Sequence, residues 1–324
     1  MHVPRIRDFV ITHDCLVLSV VDYVPQQYYG DGEGIRAMLR YVPHEEGERR
    51  RGSVRYTKLD TAGAFSYMRK HHPEWIRDVF VVPEHEVAEY LRPDEMLEEV
   101  MAHHARLRAL VEWLEGCGVD RRYMGITGSL LSGLASEHSD IDFVAYGREW
   151  WLARQCLAEL SEGGPIRRVD EPMWRKIYEK RKPELSYREF VLHEKRKLNR
   201  GMVQGTYFDL LYVRDERGMA EYTPPRRTRR LGMRTLTAEV IEDRYAFDAP
   251  AIYEVDHPDV RRVVCYTHTY AGQAFKGEVL EARGMLEKTS EGLQLVVGTT
   301  REASGEWIRS LTLLEREALE ETDS

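Results

Sequence analysis

The sequence predicts an α+β fold in three parts, and three observations carry that prediction. A chain of 324 residues exceeds what one core usually fills, so more than one domain is expected. The hydrophobic period changes along the chain: residues 1–92 mix β-rich and helical signals, and 93–234 alternate helix-like and strand-like segments. Residues 235–324 carry short β-rich runs separated by glycines, followed by a helical tail.

The expected elements follow in chain order. FVITHDCLVLSVVDYV and GIRAMLRYVP read as strands, SVRYTKLD alternates, PHEEGERRRGS is a loop between them, and TAGAFSYMRKHHPEW reads as a helix. This first part is a small α+β domain with no function evident in its residues. From Pro93, the apolar positions Leu97, Val100, Met101, Leu107, Leu110, Val111 and Leu114 recur at three- and four-residue steps and stop near Gly116 and Gly118, which predicts one amphipathic helix. RRYMGITG is a strand, SLLSGLAS a short helix, DIDFVAYG a second strand and WWLARQCLAEL a helix. Helices are expected on both sides of Pro183, because a proline and the restricted residue before it interrupt the helical pattern. GTYFDLLYV is another strand, and EYTPPRRTRRLGMR a loop. RRVVCYTHTY, KGEVLEARGMLE and GLQLVVGTT are the strands of a small barrel or open sheet, and SLTLLEREALEE is a terminal helix.

The composition narrows the function classes. A net charge of −8 gives no overall attraction to nucleic acid or to an anionic membrane, so any such contact must be local. Cys15, Cys117, Cys156 and Cys265 form no CxxC pair, which argues against a zinc or redox motif and suits thiols in a reducing compartment. No apolar run suits a signal peptide or a membrane span, so a cytoplasmic protein with no membrane partner is expected.

The chemistry concentrates in GSLLSGLASEHSDIDFV. On a strand, Asp140 and Asp142 point the same way while Ile141 and Phe143 enter the core. Two carboxylates so close raise each other's pKa unless a cation neutralises them, and oxygen-preferring Mg²⁺ suits that need. Gly128 lets backbone approach a ligand, and the Ser129 hydroxyl at a helix start suits a phosphate; the bland role for Ser129 is a helix cap. Asp140 has a bland reading too, as a strand-edge or turn residue after Ser139; Asp142, between Ile141 and Phe143, does not.

Hydrophobic-Gly-Ser, ten residues, then Asp-hydrophobic-Asp-hydrophobic resembles the signature of the polymerase-beta-like nucleotidyltransferase superfamily, over roughly Tyr123 to Val213. The chain looks most like an uncharacterised archaeal branch of predicted nucleotidyltransferases. The resemblance implies a central catalytic domain, residues 93–234, with a mixed sheet and helices. It also implies that Asp140, Asp142 and a third carboxylate hold two Mg²⁺ ions, or Mn²⁺, and a nucleoside triphosphate such as ATP. Asp209, flanked by apolar residues in GTYFDLLYV, is the best-placed third carboxylate. The implied reaction moves a nucleoside monophosphate to an acceptor hydroxyl and releases pyrophosphate. The alternatives are a non-catalytic nucleotide- or RNA-binding protein on the same fold, and an enzyme that nucleotidylates a protein or a small molecule.

Between Arg175 and Arg234 stand 17 Lys and Arg against 8 Asp and Glu, opposite to the net charge of the chain. Arg196, Lys197 and Arg200 precede the Asp209 strand and are candidates for triphosphate contacts; a solvated helical face is the plainer explanation for most of this excess. Arg226, Arg227, Arg229, Arg230 and Arg234 follow that strand as a candidate RNA surface, balanced against an exposed loop or ion pairs between domains. His71-His72 and His103-His104 read as surface pairs on helices rather than metal ligands. Tyr266, His268 and Tyr270 alternate on an expected strand, where packing is a simpler role than base stacking.

Overall fold

A computed structural model describes residues 4–30, 32–161, 163–222, 227–300 and 303–322. The fold is mixed α+β with three sheets. The chain divides into two compact units, one of residues 1–168 and 199–222, the other of residues 169–198 and 223–324.

The first unit opens with β1 (Phe9–Thr12), β2 (Val17–Val20), β3 (Ile35–Pro43), β4 (Arg49–Arg51), β5 (Val54–Lys58), α1 (Thr61–His71), β6 (Phe80–Val82) and β7 (Val87–Leu91). These strands form a sheet ordered β4-β5-β3-β2-β1-β7, with β6 also on β3. Both faces of this sheet are covered. Val10, Leu18 and Ala37 pack with Ala64 and Met68 of α1, whereas Phe9, Ile11, Val17 and Tyr41 pack with Leu131 and Leu134. Double coverage explains why FVI is apolar throughout rather than alternating. Within PHEEGERRRGS, expected to be loop, Arg49–Arg51 forms β4 by pairing with β5.

The expected single helix from Pro93 is two, α2 (Pro93–His103) and α3 (Ala105–Gly116). His104 lies between them in extended conformation, and its Nδ1 accepts the Leu107 amide at 3.1 Å, so this residue is an N-cap and not a surface helix position. Next come β8 (Met124–Thr127), α4 (Gly128–Leu131), β9 (Ile141–Tyr146), α5 (Arg148–Ala158) and β10 (Ile166–Arg167). The helix expected over SLLSGLAS is thus a single turn. α6 (Glu171–Arg181) and α7 (Tyr187–Lys197), on either side of Pro183, belong to the second unit. The chain then returns to the first unit with β11 (Arg200–Val203), β12 (Thr206–Val213) and α8 (Glu216–Ala220). The second sheet runs β10-β11-β12-β9-β8, with β9 and β12 parallel and the other neighbours antiparallel. Fully buried Trp150 of α5 covers this sheet and donates from Nε1 to the Leu210 carbonyl at 3.2 Å.

In the second unit, β13 (Arg227–Tyr245), β14 (Ala251–Asp256), β15 (Val260–Cys265), β16 (Val279–Thr289) and β17 (Gly292–Val297) close on themselves. The pairing order is β13-β14-β15-β17-β16, and β16 pairs back onto β13. β18 (Trp307–Ser310) joins β16, and α9 (Leu311–Thr322) ends the chain. The described part of the arginine run expected in a loop is therefore strand: long β13 pairs with both β14 and β16 and so closes the barrel. Tyr266, His268 and Tyr270 share no strand face, since β15 stops at Cys265; Tyr270 is buried and Tyr266 exposed. All four cysteines are thiols.

Candidate functional site

The parallel register of β9 and β12 sets Asp142 directly beside Asp209. Ile141 and Phe143 are fully buried on either side of Asp142, which sends its carboxylate to the opposite face. Asp142 is also the register partner of Thr127 at the end of β8, so its side chain lies under the turn into α4. There Gly128 adopts φ 68°, and a β-carbon on it would stand 2.2 Å from Asp142 Oδ2. Carboxylate and backbone are in contact, and only glycine permits it. Ser129 follows in the first turn of α4, half-buried, with its carbonyl accepting the Leu134 amide at 2.8 Å.

Asp140 stands one residue before β9 begins, so its position is set by the preceding loop and not by the strand ladder. That loop is braced from the N-terminal sheet: Arg49 Nη1 donates to the Leu134 carbonyl at 3.1 Å and to Ser139 Oγ at 3.3 Å. Asp209 is held in place by its own hairpin. Gln204 and Gly205, both with positive φ, make a two-residue turn that sets Arg200 opposite Asp209. Arg200 Nε and the Tyr207 hydroxyl each donate to Asp209 Oδ1 at 2.8 Å.

Burial, with the negative charge of Asp209 next and that of Asp140 adding less, pushes the Asp142 carboxyl up to about 6; Arg7 and Arg40 pull it back only in part. Three oxygen-donor side chains with excess negative charge suit a hard divalent cation, and the glycine contact leaves room for backbone beside it. Among the described residues, no three His, Cys, Asp or Glu side chains already close around a common point. The structure therefore juxtaposes Gly128, Asp142, Asp209 and Arg200, and the charge of Asp140 reaches Asp142.

Arg196 and Lys197 lie in the second unit, engaged there. Arg196 makes a two-pronged pair with Glu278 at 2.7 and 3.0 Å, and Lys197 is buried against Glu194 and the Thr269 carbonyl. Arg229, Arg230 and Arg234 are exposed on β13, with Arg230 3.5 Å from Glu287. Arg227 shares that strand, and Arg226 lies outside the described residues. The sequence reading missed Tyr207, which a two-residue offset places on the face of Asp209, and the pairing of Arg200, which the symmetry of Arg200 and Asp209 about Gln204-Gly205 contains. It also missed Arg7 and Arg40, for which no local pattern gives a signal.

Fold and site define an α+β protein whose mixed sheet carries a glycine-backed cluster of aspartates. The chain belongs to the same family as the uncharacterised protein MJ1086 of Methanocaldococcus jannaschii, with which it is 36% identical over 340 residues, spanning 94% of this chain and 98% of the relative. No family model matches the chain, and no solved structure does.

Proposed function

We propose that this protein is a Mg²⁺-dependent nucleotidyltransferase on a polymerase-beta-like core, moving a nucleoside monophosphate from a triphosphate to an acceptor hydroxyl. The observation that carries the reading is the convergence of Gly128, Asp142 and Asp209, from three separate segments, where neighbouring strands of the second sheet meet the turn into α4. In the reaction the acceptor oxygen bonds to the α-phosphorus, the bond to the β-phosphate oxygen breaks, and pyrophosphate leaves. Bound divalent cations would lower the pKa of the acceptor hydroxyl and offset charge on the departing pyrophosphate. Asp140, Asp142 and Asp209 would hold them as carboxylates, and only below about pH 6 would loading displace a proton from Asp142. Arg200 and Tyr207 keep Asp209 aimed from its strand, and the acceptor proton passes to Asp209 or to solvent.

RNA is the favoured acceptor. Its support is the closed barrel, whose strand order is that of five-stranded oligonucleotide-binding barrels, and the exposed Arg229, Arg230 and Arg234 on its first strand. The test is incubation with each α-labelled nucleoside triphosphate and Mg²⁺ or Mn²⁺, with and without total RNA. Label on RNA is the expected result; label on protein or on a small molecule replaces the acceptor. Triphosphate binding with no transfer to any acceptor overturns catalysis in favour of a binding protein.

A further inference from the structure

We propose that Arg7, in the turn before β1, and Arg40 of β3 form a cationic wall of the aspartate site and bind the polyphosphate of the nucleotide, a role that rests on the nucleotidyltransferase reading above. Both residues come from the part of the chain to which the sequence assigned no function.

Arg7 is one of the few non-glycine residues with positive φ, at 78°, a conformation that costs an arginine energy and persists only where its surroundings enforce it. The enforcing contacts lead to the site. The Thr127 hydroxyl donates to the Arg7 carbonyl at 2.6 Å, and Thr127 is both the residue before Gly128 and the register partner of Asp142. From the other side, the Arg7 amide donates to the Val20 carbonyl at 3.2 Å.

Arg40 is placed by a β-bulge. Leu18 of β2 pairs with Leu39 and Val17 with Tyr41, so Arg40 is the extra residue, and bulges re-aim the side chain they insert. Next to it, Tyr41 packs with Leu131 and Leu134, the apolar residues of the turn that follows Gly128. The sheet face beside Arg40 is thus fastened to the glycine-serine turn. Both guanidinium charges act on the Asp142 carboxylate and favour its ionised form.

Simple neutralisation of Asp142 is the bland role for this pair. Charge in the loaded site favours a further one. Three carboxylates and a triphosphate exceed the charge of two divalent ions and Arg200 together, and two further guanidinium groups offset the excess. Arginine also matches phosphate oxygens with paired donors, which a lysine does not.

The two roles differ in what they do to phosphate dependence. Calorimetric titration of the full chain with AMP, ADP, ATP and inorganic tripolyphosphate, in Mg²⁺, separates them when repeated on Arg7→Gln, Arg40→Gln and Arg40→Lys proteins whose melting confirms folding. The expected result is affinity rising with phosphate number in the wild type. Each glutamine variant then loses about tenfold or more for ATP and tripolyphosphate, AMP is unchanged, and Arg40→Lys retains part of the affinity. Glutamine variants that bind ATP and tripolyphosphate like the wild type overturn this inference while leaving the transferase reading intact. Arginine-dependent tripolyphosphate binding without label transfer sustains the anion site and overturns the transferase. A wild type that binds none of the four compounds overturns both.

Discussion

At the scale of single residues, the site is a collision avoided. The 2.2 Å separation between a β-carbon at position 128 and Asp142 Oδ2 is not relieved by turning the carboxylate alone, because Asp142 Cγ and Cβ would also stand at 3.1 and 3.3 Å. Gly128→Ala therefore displaces Asp142 as well as straining φ. The expected outcome is a loss of about 1–3 kcal/mol in stability and a far larger loss of transfer activity, read by denaturant titration and by the labelling assay. Asp142 itself is held at a cost. Its folded carboxyl sits near 6 against about 4 unfolded, so the unfolded chain releases its proton first as pH rises. The wild type bears no penalty from this group below pH 4, accumulates one between pH 4 and 6, and carries all of it above 6. Asp142→Asn should match the wild type in stability at pH 4 and exceed it by about 3 kcal/mol at pH 7 while abolishing transfer. Equal stability of the two proteins at pH 7 would contradict that strain.

Individual elements show how much of this is legible without a structure. Strand and helix positions around the site follow from local period, since Ile141, Phe143, Leu210 and Val213 are apolar for the core on whose edge the aspartates stand. What local period cannot supply is pairing. Asp142 and Asp209 become neighbours through a parallel register across an intervening helix and an excursion into the other unit, and no spacing rule encodes that. The hairpin of β11 and β12 was readable in principle from Gln204-Gly205, and it makes Arg200 a partner of Asp209. Arg200→Met should cost about 3 kcal/mol, because it leaves a part-buried carboxylate without its cation, and adding Asp209→Asn should recover part of that loss in a double-mutant cycle.

α7 carries a comparable device in the second unit. Buried His193 faces the Glu189 carbonyl from Nδ1, while Nε2 accepts the Ser310 amide at 2.9 Å, which requires the neutral ring with its proton on Nδ1. Burial drives its pKa down to about 4. The unfolded chain then takes up the proton first as pH falls, so stability is full above about 6.5 and declines toward pH 4 by about 3 kcal/mol. Urea titrations across that range should show the slope, and His193→Gln should flatten it.

For the whole molecule, the chain passes between its two units at residues 168–169, 198–199 and 222–223, so neither unit is a simple terminal segment. Removing everything after Tyr222 would strand α6 and α7, whose Trp174, Ile177 and Phe190 are buried, and would not test the barrel cleanly. Charge substitution on the full chain does. A net charge of −8 opposes polyanion binding as a whole, so RNA affinity must come from a local surface, and β13 presents Arg229, Arg230 and Arg234 exposed. Each arginine on a single-stranded RNA phosphate contributes about 0.7 to the slope of log affinity against log salt. Arg230 also lies near Glu287, which weakens its share, so replacing all three with glutamine should lower the slope by about 1.5 and affinity at low salt by more than about tenfold. Metal and triphosphate binding in the first unit should be unaffected. An unchanged salt slope in the triple variant would remove β13 from the RNA surface and favour a small or protein acceptor.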